Sequence, residues 1–123
     1  MSSITPTAEA LQKLAQAPEI GKVVMLNLLK FKPGGGAASY AEYGQHVAKI
    51  LARIGARILF SGAVSQSMIG HDADWDAIAI VEYPSRKAFL EMAMSAEYQA
   101  IHHFRDEGLE RTELYAINPP QSA

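Results

Sequence analysis

Residues Val23 to Phe31, VVMLNLLKF, constrain the fold more than any other stretch of this chain. Their number and the β-branched start mark a strand. Both of its faces are apolar, with Val23, Met25, Leu29 and Phe31 on one and Val24, Leu26 and Leu28 on the other. Such a strand must be covered on both sides, so helices over one face are not enough. Asn27 interrupts the run at its centre, on the face of Met25 and Leu29. A buried amide left without partners costs about 1–3 kcal/mol. Two roles stand equally open for it: a structural bond to a neighbouring loop or helix, or a donor in the wall of a pocket.

The flanking punctuation sets the order of elements. Thr5-Pro6 is expected to cap a short helix with proline at its first position, and Ala8, Leu11, Leu14 and Ala15 give it a weak apolar stripe that Pro18 and Gly21 end. Residues 1–21 therefore read as a helical extension. Beyond Phe31, Pro33 and Gly34-Gly35-Gly36 break the chain, and Ser39-Tyr40-Ala41-Glu42 has the form of a capping box. Tyr40, Tyr43, Val47, Ile50, Leu51 and Ile54 follow at helical spacing up to Gly55. Arg57 to Met68 is a second strand, with Gly62 marking a bulge or a close backbone approach. GHDAD at 70–74 is a turn, and Trp75 to Tyr83 returns as the other half of a hairpin. Ser85 caps a helix bearing Phe89, Met92 and Ala93; Ser95 recaps it through Tyr98, Ile101, His102 and Arg105; Gly108 ends it; and Glu110 to Ile117 is the last strand.

Strand, helix, strand, strand, helix, strand is two consecutive βαβ halves. That is the ferredoxin-like α+β plan with a four-stranded antiparallel sheet, here over residues 22–118 of a single domain, 1–123. Right-handed crossovers place both helices on one face. The other face then has to be covered by a second copy packed sheet to sheet, a homodimer.

Charge and composition exclude several classes of function. Lys and Arg number 11 against 13 Asp and Glu, a net charge of −2, so neither nucleic acid nor a membrane is an expected partner. The absence of cysteine excludes disulfides, thiolate zinc sites and a Cys nucleophile. No secretory leader is read, and a cytoplasmic protein is expected. Pro33-Gly34-Gly35-Gly36 stands where a phosphate loop would, but it lacks the third glycine of one template and the Lys-Ser/Thr of the other, and reads as a flexible connection. Asp72, Asp74 and Asp76 imitate the opening of a calcium loop, yet Ala77 replaces its glycine and Tyr83 its bidentate Glu. No metal and no resident cofactor are expected. No G-x-S-x-G elbow occurs, and Ser39, Ser85 and Ser95 are taken up as caps.

Among the histidines, His71 belongs to a turn, His46 reaches toward the rim of the core, His103 points outward, and His102 lies beside the stripe set by Tyr98 and Ile101. A histidine there is more often a satisfied partner than a catalyst. Glu82, in the third strand, belongs to the sheet's edge or to a dimer rim. Arg105 reads either as an anion ligand or as a helix-end arginine bonded to its own terminal carbonyls.

Val23-Val24-Met25-Leu26-Asn27-Leu28-Leu29-Lys30-Phe31, Tyr40-x-x-Tyr43 and Gly62 resemble the first half of a known pattern. Trp75-Asp76, Val81-Glu82-Tyr83-Pro84-Ser85, Phe89, Ser95, Glu97-Tyr98 and Arg105 resemble its second half. The pattern is that of the bacterial proteins classed as domain of unknown function 1330, and the likeness runs from about Val23 to Asn118. It implies the dimeric α+β barrel superfamily and no particular reaction. Haem-degrading monooxygenases of that superfamily use an asparagine on the first strand and a tryptophan and a histidine on the second helix. Asn27 and His102 fall at the first and last of these places, and Met92 falls at the tryptophan's. Without the indole, haem degradation is not expected. Other relatives act on small aromatic or lactone substrates through an acid–base side chain in the same cleft, without a cofactor. The expectation is a homodimer with a small-molecule pocket, as a cofactor-independent enzyme for a small organic or aromatic compound or as a non-catalytic ligand-binding or structural dimer. In the enzymatic case His102 is the acid–base group, Asn27 polarises a carbonyl or oxyanion, and Tyr40, Tyr43, Met92 and Arg105 bind the substrate.

Overall fold

Val23–Phe31 forms β1 and takes the place its two apolar faces require, the interior of a sheet. The computed structural model describes residues 5–70 and 74–120. Around β1 lie α1 (Ala8–Gln16), α2 (Gly36–Ile54), β2 (Arg57–Ala63), β3 (Ala77–Tyr83), α3 (Arg86–Met94), α4 (Ala96–Gly108) and β4 (Leu109–Ile117). The strands make one antiparallel sheet in the order β2-β3-β1-β4, which is the ferredoxin-like α+β arrangement expected from the element order.

Side chains of a strand alternate between faces, and the two faces of β1 meet different surroundings. Val23, Met25 and Leu29 are at most 3% exposed. The first two join Tyr43, Val47, Ile50 and Leu51 of α2, Val81 and Tyr83 of β3, Phe89 and Met92 of α3 and Tyr98 of α4 in one core. Burial of each large aliphatic chain there contributes about 1.5–3 kcal/mol. Val24, Leu26 and Leu28 face away from the helices. Their register partners are Glu82, Ile80 and Ile78 on β3 and Ile117, Tyr115 and Glu113 on β4, with Phe60 of β2 one strand further. Phe60 is 58% exposed and Tyr115 49%, so this apolar face stays open.

Several boundaries differ from the sequence expectation, each for a local reason. The cap of α1 is Thr7, whose Oγ1 accepts the Ala10 amide at 3.0 Å; Pro6 lies outside the helix rather than at its first position. Ser39 does not open α2. The helix starts at Gly36, because Gly34 and Gly35 adopt positive φ (75° and 116°) and turn the chain into it four residues earlier, with Gly35 in the cap position expected of Ser39. The glycine run is therefore a built turn rather than a loose connection. Gly36 also lies against the end of α4: a Cβ there would meet the Gly108 carbonyl at 2.6 Å, and a Cβ at Gly108 would meet the Gly36 carbonyl at 2.7 Å. Ser85 and Ser95 cap α3 and α4 as expected, accepting from Ala88 and Tyr98.

The second strand ends at Ala63, not Met68, and the third begins at Ala77, not Trp75. Asp76 is the cause. Its carboxylate accepts the Phe31 amide at 2.8 Å, where the β1–β4 register shifts, and its own amide goes to the Leu29 carbonyl. That turns the chain out of the ladder. Gly62 is a close approach rather than the bulge, since a Cβ there would press on the Phe60 ring at 3.3 Å; the register shift falls between Ile58 and Phe60. His71 and Asp72 lie outside the described residues. Among those described, no helix is long and apolar enough to cross a membrane.

Candidate functional site

The helix-facing side of the sheet does not pack flush against its helices. A cleft of about 330 Å³ remains, with Met25, Asn27, Tyr83 and Leu114 as its floor and Tyr43, Phe89, Met92, Tyr98, His102 and Arg105 among its walls. Leu11 of α1 also lines it, together with Thr5 and Pro6. The helix read as an extension before the core is thus a wall of the site.

Asn27 reaches this floor because it shares the face of Met25 and Leu29. Its Nδ2 donates to the carbonyl of Ala79, its register partner on β3, at 3.2 Å, and to that of Met25 at 3.5 Å. The second bond is at the limit of a useful length, so one amide proton is only weakly held. His102 stands one turn after Tyr98 on α4, with ring centroids 5.6 Å apart. One turn further on, the Asp106 carboxylate lies 3.1 Å from His102 Nδ1. A carboxylate on Nδ1 fixes the imidazole's orientation and leaves Nε2 as the nitrogen available for exchange. The His102 side chain is only 15% exposed.

The tyrosines form a buried cluster beside these two groups. The hydroxyls of Tyr43 and Tyr98 are 2.9 Å apart, and the rings meet edge to face. Burial pushes the Tyr43 phenol well above its ordinary value and raises that of Tyr98, against the pull of the Arg105 charge. Burial raises Tyr83 strongly as well, and its hydroxyl lies 4.0 Å from Met92 Sδ. These phenols keep their protons at neutral pH, so they shape the cleft and donate hydrogen bonds rather than accept a proton as bases.

Of the residues expected at a site, Asn27, His102, Tyr43, Met92 and Arg105 line one cleft. Tyr40 does not. It stands behind Tyr43, between that ring and Phe31, at centroid separations of 5.3 and 5.6 Å. His46 pairs with Glu42 and stacks on Phe104, while His103 is exposed. Glu82 lies on the open face of the sheet, 3.0 Å from Arg57 and 3.7 Å from Lys22. Asp74 and Asp76 engage Lys30, and Asp74 also pairs with Arg111. Among the described residues no three His, Cys, Asp or Glu side chains gather closely enough to hold a metal ion. Sequence reasoning missed Asp106, although its spacing of four from His102 is the helical pair distance.

A model for a domain of unknown function (DUF1330) matches residues 35–118. The chain belongs to that family. The matched span of this DUF1330 chain contains Tyr43, Met92, His102 and Arg105, whereas Asn27 and α1 precede it. A protein of unknown function from Rhodopseudomonas palustris is 29% identical, with a TM-score of 0.91 over 99% of this chain and 100% of that one, so α1 and β1 recur there. A dabb family protein with a ferredoxin-like fold from Mesorhizobium loti shares 14% identity, a TM-score of 0.60, and 82% and 99% of the two chains. A protein of unknown function from Jannaschia, described as dimeric and ferredoxin-like, shares 9% identity, a TM-score of 0.62, and 80% and 100%. These last two share the fold. No curated protein matches the chain.

Proposed function

We propose that this DUF1330 chain is a homodimer that binds and transforms a small organic molecule in the cleft between its sheet and helices. The observation that carries this reading is that Asn27 and His102, from a strand and a helix 75 positions apart in sequence, line the same cavity. His102 is oriented by Asp106 and serves as the acid–base group at Nε2. Asn27 turns its weakly held amide proton to a carbonyl or developing oxyanion. The Tyr43–Tyr98 pair, Met92 and Arg105 set the shape and polarity around the ligand. Pairing of two copies through the open face of the sheet gives Leu26, Ile80, Phe60 and Tyr115 the cover they lack in one chain, and leaves the cleft on the far side of each sheet free.

Haem does not suit this cleft. Where a planar indole would support a porphyrin stands Met92, a flexible thioether against the Tyr83 hydroxyl. The expected result on adding haem is no tight binding, by absorbance, to the wild type or to Met92→Trp.

The test is a thermal-shift screen of the purified protein with small aromatic, lactone and carbonyl compounds, since a ligand of the native state raises its apparent stability. A compound that stabilises the wild type should lose its effect in Asn27→Leu and His102→Phe. The variants themselves should stay within about 1 kcal/mol of the parent, because polar groups of a site are held at some expense of stability. Large losses of stability with ligand binding retained would reduce both residues to structural partners. The non-catalytic dimer is then the reading that stands.

A further inference from the structure

A second cavity of about 440 Å³ adjoins the first, sharing Thr5, Pro6, Leu11, Met25, Phe89 and Leu114 with it. The two form one elongated cleft running under α1. Its extension is mainly apolar, and at its wall stands Arg86, the first residue of α3, only 8% exposed. One nitrogen of that guanidinium, Nη2, donates to Asn118 Oδ1. The other two, Nε and Nη1, are buried and have no hydrogen-bond partner among the described residues. Glu19 lies nearby, but its carboxylate is spent on the backbone amides of Arg86 and Lys87, at 3.3 and 3.2 Å. It makes no ion pair with the guanidinium, whose charge it meets only at longer range.

A buried guanidinium with no carboxylate bonded to it is costly, and buried charges are ordinarily paired. The balance along the cleft is one-sided as well. Arg86, Lys13 and Arg105 line it, and among the described residues no Asp or Glu does, in a chain whose net charge is −2. We propose that Arg86 is the anion-binding subsite of the cleft and that the ligand is a carboxylate with an apolar body. The Nη2 proton not given to Asn118 forms a fork with either Nε–H or Nη1–H, the geometry that pairs with a carboxylate. Leu11, Leu14, Phe89 and Leu114 receive the apolar part. Thr112 Oγ1, in the same wall, already donates to the Leu28 carbonyl at 2.6 Å and so has no proton to offer an anion. This assignment rests on the cleft being a small-molecule site and names the class of molecule. It does not depend on His102 performing a reaction.

Octanoate and 1-octanol, equal in chain length and different in charge, separate the terms by calorimetry on the full-length protein. The wild type should bind octanoate at least about tenfold more tightly than the alcohol, the scale of a charge-assisted hydrogen-bond pair. Arg86→Met should abolish that preference while still binding the alcohol, and Arg86→Lys should keep part of it. Lys49→Met, which removes an exposed cation of α2 outside the cleft, should leave it intact, and loss of the preference with octanol still bound is a failure of the subsite rather than of the cleft. Should Arg86→Met not fold, the Arg86 Nε–H resonance of the wild type, identified by its loss in Arg86→Lys, should move with octanoate and stay still with octanol. Equal affinity for the two compounds, no binding of either, or a carboxylate preference that survives Arg86→Met would each overturn the proposal.

Discussion

The two faces of β1 are built from nearly the same residue types, yet the molecule treats them in opposite ways. On one, Val23, Met25 and Leu29 lie under four helices, and the single polar residue, Asn27, opens on a cleft. On the other, Val24, Leu26 and Leu28 belong to a largely apolar surface that none of the described elements covers. The covered face is incompletely filled and carries polar groups whose hydrogen-bonding capacity is partly spare, Arg86 above all. The open face has Glu82, Arg57, Lys30 and Arg111 toward the strand ends, paired with one another or with neighbours, and Glu113 at mid-strand bonded by the Tyr115 hydroxyl. A spare donor in a cavity recognises a small ligand with directional specificity, whereas a flat apolar surface gains most by excluding water against another like it. The chemistry proposed above belongs to the first face and the proposed association to the second.

The sharpest way to break this division is Leu26→Lys, a charge at the centre of the open face. Burying an ammonium in a sheet-to-sheet interface costs several kcal/mol. The dimer dissociation constant should rise by about a thousandfold or more in sedimentation experiments, while ligand binding in the cleft is retained. A wild type that is monomeric and folded at micromolar concentration would remove the association half of the comparison altogether.

The next largest effect is expected on the covered side. Gly108→Ala places a methyl group 2.7 Å from the Gly36 carbonyl and 2.9 Å from the Tyr40 amide. Backbone on both sides cannot yield cheaply, so stability in urea should fall by about 3 kcal/mol, the upper end of ordinary overpacking. The crossing of α2 and α4 loosens, and the cleft with it, but the sheet retains its pairing face. A neutral result would mean that the helix layer is not clamped there.

The smallest effect tests the tyrosine cluster. The phenols of Tyr43, Tyr83 and Tyr98 have folded-state values raised above the ordinary 10.0, chiefly by burial. The unfolded chain therefore loses these protons first, and binds fewer of them, as the pH passes about 10. Stability should be unaffected below that point and fall above it, with a slope approaching about 1.4 kcal/mol per pH unit for each buried phenol. Tyr43→Phe should lessen the slope while costing about 1 kcal/mol at neutral pH, through the lost bond to Tyr98. An unchanged slope would show that Tyr43 is exposed to solvent in the native state.

The residues by themselves determined the order of elements, the place of β1 inside the sheet with two apolar faces, the caps at Ser85 and Ser95 and the outlier status of Asn27, because each of these depends on periodicity or on the conformational preference of a few neighbouring residues. Tertiary structure decided what depends on distance between remote segments. It brought Asn27 beside His102, set Tyr40 behind Tyr43 rather than in the cleft, and made α1 a wall instead of an appendage. It also showed why Gly36 and Gly108 have no side chain, since each occupies the space the other would need. Arg86 marks the boundary most clearly. In sequence it is an ordinary arginine in the first turn of a helix, and only the packing of Glu19, Asn118 and α1 around it reveals that two of its nitrogens are buried without a partner. Local pattern records what a segment prefers, whereas the partner that a polar group finds or lacks is a property of the assembled interior.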